Sequence, residues 1–280
     1  MNERADITAA AGTPLRPAPR HRRCSAALAR LALAVALCGT AQAQDGLARL
    51  VSRDALVHLA HPDAEVRGEA ALVVAGRPDL LQQPALLAMA KEREPAARHR
   101  AFVALGLMGS APAVQVLAAV LADTTTRGTD DGVAAAFGLG LVADQQATAA
   151  TTAVLSAIAQ GSWKRQRDTL LALLIAMTMQ PARGDAMAVR RLYDDESNRD
   201  PQVRGLMLSL LLQHDATFDP RLRQRVLERG SADEQRALLG WLAGPGPTFD
   251  ASALPTIERL ARHAPDPLTR AAALEALTRA

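Results

Sequence analysis

From Leu47 onward, apolar residues recur at i, i+3, i+4 and i+7 in short segments separated by polar breaks, as with Val114, Leu117, Ala118 and Leu121. That spacing places them on one face of a helix. No stretch sustains an alternation of period two, so no sheet is expected. The segments come in pairs. The first helix of each pair is amphipathic, for example PALLAMAKERE, APAVQVLAAVLAD, AMAVRRLYDDES and LPTIERLARHAP. The second is richer in Ala and Leu and has clearer start signals. Asp200-Pro201 and Asp266-Pro267 each supply an N-cap residue followed by proline at the first helical position. Ser231 and Glu234 have the spacing of a capping box. Asp63 and Glu65 put negative charge near a positive helix end.

The second helices repeat one pattern, first seen as HPDAEVRGEAALVVAG at His61–Gly76. Pro62, Arg67 and Gly76 recur as Pro95, Arg100 and Gly109, each 33 residues on. The third copy, Gly132–Leu141, lacks the arginine, with Gly132 or Val133 in its place. Later copies carry Arg167, Arg204, Arg236 and Arg270. A spacing of about 34 residues divides 44–280 into about seven two-helix units, a period typical of solenoids. One hairpin cannot bury its own apolar stripe, so stacking supplies the core and stability approaches a sum over neighbours. The chain ends at Ala280 inside an Ala/Leu-rich helix without an evident polar cap, so the last unit is expected to be exposed or covered by a partner.

Composition sharpens this reading. Aromatic residues are 2% of the chain although 49% is apolar. Ala, Leu and Val must therefore fill the core, which suits helices at close approach. Charge is unevenly placed. Residues 1–43 hold six arginines against Glu3 and Asp6, a net of +4 out of the chain's +3, which leaves −1 for 44–280. A near-neutral body has no overall drive toward nucleic acid or an anionic membrane.

The excess belongs to a leader. Arg20-His21-Arg22-Arg23 precedes the apolar run CSAALARLALAVALCG, and Ala41-Gln42-Ala43 forms an A-x-A site. This is the layout of a secretory signal peptide, with Gln44 as the first mature residue. The apolar run is shorter than the ~20 residues a spanning helix needs. A retained anchor, or a twin-arginine route through Arg22-Arg23, is the alternative. Both cysteines, Cys24 and Cys38, lie in the leader. The mature chain then has no disulfide, thiol nucleophile or Cys-ligated zinc, and must be held by packing alone.

The residues Asp/Pro-x-x-Val-Arg followed by Ala and Leu, clearest at Pro62–Leu72, Asp200–Leu210 and Asp266–Leu277, resemble the HEAT-repeat family, specifically the short HEAT-like repeats of phycobilisome lyases. The resemblance covers 44–280. It implies an all-α, right-handed solenoid of about seven two-helix repeats, with first helices on the convex side and second helices lining the concave side. It also implies that the arginine ties each repeat to its neighbour through an acidic side chain. Arg67, Arg100, Arg167, Arg204, Arg236 and Arg270 would then form a structural ladder, interrupted at Gly132–Val133.

Candidate chemistry is sparse. His58 and His61, with Asp63 and more distantly His99, could begin a metal site, but the spacing supplies no third ligand and no metal is expected. Tyr193-Asp194-Asp195-Glu196 and Glu92–Glu94 lack the glycine and oxygen spacing of a calcium loop. No nucleophile elbow or phosphate-binding glycine loop occurs; Gly138-Leu139-Gly140 reads as helix packing. Trp163-Lys164-Arg165-Gln166-Arg167 is the densest basic and aromatic cluster, able to meet a phosphate or an acidic partner segment. Trp163, Lys164, Arg165 and Arg167 are therefore the candidate binding residues. The sequence thus points to a non-catalytic scaffold without cofactor, periplasmic or secreted, with a protein partner, no nucleic acid and no membrane span after cleavage. The alternative is a HEAT-like enzyme of lyase or base-excision type, or a nucleic-acid-binding solenoid, if the leader is not cleaved.

Overall fold

The computed structural model describes residues 55–76, 82–142, 146–160, 163–180, 185–195, 199–214, 219–244 and 251–279. The leader, both cysteines and Ala280 lie outside the described residues. Within the compact unit Gly46–Ala280, the described residues contain helices and turns and no strand. The helices are α1 (Ala64–Ala75), α2 (Gln83–Met89), α3 (Pro95–Met108), α4 (Ala111–Ala122), α5 (Asp130–Leu141), α6 (Gln146–Gln160) and α7 (Arg167–Thr178). They continue with α8 (Ala186–Asp194), α9 (Pro201–His214), α10 (Pro220–Arg229), α11 (Ala232–Leu242), α12 (Leu254–His263) and α13 (Pro267–Leu277). None of the described helices is long and apolar enough to cross a membrane.

The start signals do their local work. Asp63, Ser110, Asp219 and Asp266 each accept a hydrogen bond from a backbone N–H in the first turn of the helix they open. Asp200 accepts from the Val203 N–H at 3.0 Å. Ser231 and Glu234 form both halves of the capping box. Gly109 ends α3 at φ 63°, a left-handed conformation that suits glycine.

The helices form two layers. In one, α1, α3, α5, α7, α9, α11 and α13 contact each other in succession. In the other, α2, α4, α6 and α8 follow one another, and α10 meets α12. Hairpin partners such as α4–α5, α8–α9 and α12–α13 join the layers, while α6 meets α7 through the 3₁₀ turn Trp163–Gln166. The helices thus pack neighbour to neighbour in the repeat order, the arrangement of an α-solenoid.

The odd-numbered layer carries the densest core. Ala97, Ala101, Ala104, Ala135, Ala136 and Ala172 are fully buried, and Phe102 and Phe137 fill the largest spaces between them. Small side chains let these helices approach closely, which explains how so few aromatics suffice. The limit is reached at Gly106 and Gly138. A Cβ on Gly106 would collide with the Gly138 backbone, and one on Gly138 would strike the Phe102 carbonyl. At that crossing α3 and α5 touch backbone to backbone. Gly138-Leu139-Gly140 thus serves packing: a Cβ on Gly140 would meet the Ala176 Cβ at 2.6 Å.

Candidate functional site

One edge of the stack gathers most of the charged chemistry. It is the edge where a first helix ends and a second helix begins. Arg67 donates to the Glu92 carboxylate at 2.5 Å, with its side chain 15% exposed. Arg98 donates through two nitrogens to Asp131 Oδ1, at 3.0 and 2.9 Å. Arg167 Nε donates to Asp200 at 2.6 Å, and Arg204 Nε to Glu234 at 3.0 Å. Arg236 pairs with Asp266 of the next repeat and with Asp233 of its own helix. Four of the five inter-repeat acceptors sit at or within three residues of a helix start: Asp131, Asp200, Glu234 and Asp266. There they also complement the helix dipole.

Those surroundings set their ionisation. Partial burial acts to raise the Asp131 carboxyl, but hydrogen bonds from Arg98 and His99 outweigh it and hold it below the usual range. Burial opposes ionisation of Asp200 too, and Arg167 with the Val203 N–H overcomes it. Glu234 is the most enclosed, with a side chain 7% exposed. Burial again acts upward, and the Ser231 N–H, the Tyr193 hydroxyl and Arg204 bring the net shift down. Asp266 is lowered to about 2, first by the Thr269 hydroxyl. The Tyr193 hydroxyl donates to Glu234 at 2.8 Å, and burial followed by that carboxylate pushes its pKa up. The Arg204 guanidinium lies 4.4 Å from the Tyr193 ring centroid, a cation–π contact.

The register of the arginines differs from a count made from proline. Arg67, Arg98, Arg204 and Arg270 are each the fourth residue of their helix. Arg67, Arg98 and Arg270 turn back to carbonyls five and six residues earlier: Pro62 and His61, Arg93 and Glu92, and Pro265 and Ala264. In the second repeat this place belongs to Arg98, because Glu94 is the N-cap and Pro95 the first helical residue. In the first, Pro62 lies before the N-cap Asp63, so equal distances from proline reach different turns. Arg100 instead folds back on α1, pairing with the exposed Glu65 and Glu69 at 2.6 and 3.0 Å, and its stem lies over Gly68.

At the third repeat, Val133 occupies the fourth position of α5. Buried Arg127, in the preceding loop, supplies the turn-back contacts to Leu121 and Ala122 instead. The Thr169 hydroxyl of α7 donates to the Arg127 carbonyl. A neutral hydrogen bond thus bridges this junction.

The other sequence candidates fall as follows. Trp163, Lys164 and Arg165 lie in the 3₁₀ turn before α7, which starts at Arg167 rather than at Trp163. No side chain caps α7, and a 3₁₀ entry is common there. Arg165 is exposed, whereas Arg167 is engaged by Asp200, Asp168 and Gln202. His61 Nδ1 accepts from the Asp63 N–H at 3.1 Å, and its ring meets His58 edge-on. His99 is 2.6 Å from Asp131. Among the described residues no three His, Cys, Asp or Glu side chains are grouped to hold a metal ion.

Two open grooves lie on the same edge toward the C-terminal half. One, of about 490 Å³, is lined by Tyr193 and Arg199 before α9, by Arg204, and by Leu222, Arg225 and Arg229 of α10. The next, of about 430 Å³, is lined by residues including Gln235, Arg259, Leu260, His263 and Pro265. Gly230 borders both, so they adjoin across the α10–α11 turn. Sequence reading passed over Arg199, Arg225 and Arg229. The available signal was Arg221, Arg225 and Arg229 at i, i+4 and i+8 on one face of α10, all exposed.

Two layers of antiparallel hairpins, tied by ions along one edge, define an α-solenoid. Residues 53–136 match the family model for HEAT repeats, and the later helices continue the same two-layer stack. The match does not extend to the narrower phycobilisome-lyase type. No curated protein matches the chain.

Proposed function

We propose that the protein is a non-catalytic interaction scaffold, exported to the cell envelope, which presents the loop edge of its stack to an extended polypeptide. HEAT repeats commonly serve as protein-interaction scaffolds. The observation that carries the reading here is the pair of adjoining grooves meeting at Gly230. Their open, lengthwise arrangement suits a segment of chain better than a small enclosed substrate. The charged groups of the row also support it: Arg167, Arg204, Arg236 and their acids are engaged with one another rather than poised for acid–base chemistry. The leader pattern at Arg20–Ala43 supports export.

The test is affinity capture from an envelope extract with the chain beginning at Gln44, beside a form with Lys164, Arg165 and Arg167 neutralised. The same polypeptide should be recovered at a fixed ratio from independent extracts. Recovery of abundant bystanders alone overturns the reading. Unchanged recovery with the neutralised form excludes the Trp163–Arg167 turn as the contact.

A further inference from the structure

We infer that the groove between α8, α9 and α10 receives an acidic linear segment of the partner, with Arg199, Arg225 and Arg229 as its carboxylate-binding residues. This rests on the scaffold reading and adds the chemistry of the ligand. The argument begins with uncompensated charge. Arginines farther along this edge are paired with carboxylates: Arg67 with Glu92, Arg98 with Asp131, Arg167 with Asp200. Arg199, Arg225 and Arg229 are exposed, and among the described residues no carboxylate pairs with them. The acids that share the groove are already engaged. Asp194 takes Arg190 at 2.8 Å, and Glu234 takes Tyr193, Arg204 and the Ser231 N–H. On α10 itself, the Glu228 carboxylate accepts from Gln224 at 2.6 Å.

The helix bears a cost for this arrangement. Arg221, Arg225 and Arg229 succeed one another at i+4, a like-charge spacing that disfavours the helix. Arg229 lies in the last turn, where a cation suits the dipole. Arg225 and Arg199 have no such role. Guanidinium groups present forked donors that match carboxylate oxygens, and they stand here on a groove floored by Leu222 and Val226. A carboxylate there meets unpaired donors next to an apolar floor that can take the neighbouring side chain. Past Gly230 the adjoining groove is lined by apolar Leu260, Ala264 and Pro265 together with charged Glu228, Arg259 and Asp266, so apolar residues of the segment find contacts beyond its acidic stretch.

The experiment is selection of a displayed library of random linear peptides on the full chain, and in parallel on Arg225→Gln/Arg229→Gln. Both positions are exposed, so circular dichroism should find the helix content of the double variant unchanged. Sequences selected by the natural chain should be enriched in Asp and Glu. A synthetic peptide of the selected sequence should bind the double variant about tenfold or more weakly, and its Asn/Gln counterpart should bind neither form well. Selection of peptides without acidic enrichment, or equal affinity for both forms, overturns the assignment and leaves the scaffold reading standing. No selection of any peptide overturns both. Tight binding of single-stranded nucleic acid, abolished by the same two substitutions, would assign the groove to the wrong class of partner and so contradict the inference.

Discussion

Arg204 Nε donates to Glu234 Oε1 across a separation of 30 residues, and the Tyr193 hydroxyl donates to the same oxygen. Three helices of the stack, α8, α9 and α11, therefore converge on one carboxylate, which also completes the capping box of α11. Replacing Glu234 with Ala leaves a guanidinium and a phenol hydroxyl without their acceptor in a site that is nearly closed. The expected loss is about 2–4 kcal/mol of unfolding free energy, read by urea denaturation. Glu258→Ala, at an exposed pair with Arg262, should cost less than about 0.5 kcal/mol. Equal costs at the two sites would contradict the assignment.

Two glycines should respond with opposite sign. Gly106→Ala drives a methyl into the Gly138 backbone, where no side chain can yield. Its expected cost is about 1–3 kcal/mol. Gly240 lies within α11 with nothing near its missing Cβ. Gly240→Ala should stabilise by about 0.5–1 kcal/mol through the entropy of the unfolded chain. Thermal unfolding of the two variants decides this.

Acid should loosen the stack from its repeat junctions. Asp131, Asp200, Glu234 and Asp266 all ionise more readily folded than their ordinary values of 3.8 for Asp and 4.5 for Glu. A group lowered by folding contributes stability above its unfolded pKa, and that contribution is lost as pH falls through the folded value. Stability from these groups should be flat near neutrality and decline below about pH 4.5, with the Asp266 contribution surviving to about pH 2. Denaturant midpoints measured across that range should follow this course. A loss centred near neutrality would point to histidine instead.

Arg165 and Arg167, two residues apart, should separate stability from surface charge. Arg167→Gln breaks the contact with Asp200 and should lower stability by about 1–2 kcal/mol. Exposed Arg165→Gln should leave it within about 0.5 kcal/mol. Chemical denaturation of both variants provides the check.

Much of the architecture was legible in the pattern of residues, and the reasons are local. The helix starts at Asp63, Asp200, Ser231 and Asp266 are encoded by a side chain within three positions of the N–H it accepts. The apolar spacing of Val114, Leu117 and Leu121 states which face is buried. The arginine register was not legible from proline, because proline stands before the cap in one repeat and after it in the next. Arg98 and Arg127 emerge only when distance is counted from the carbonyls they reach. The basic groove was obscured for a different reason. Arg199 comes from a loop before α9 and Arg225 from α10, and only the stacking of the two hairpins brings them to one cavity.

The central claim is that the loop edge around Gly230 holds a polypeptide. The most direct measurement places a photo-crosslinking residue at Arg229 in the full chain within its native cells, with another at Met187, exposed on α8 outside the groove. The expected result is a discrete protein adduct from position 229, absent from position 187 and lost in an Arg199→Gln/Arg225→Gln background. Equal adducts at both positions, or a nucleic-acid adduct at 229 in place of a protein one, would contradict the account.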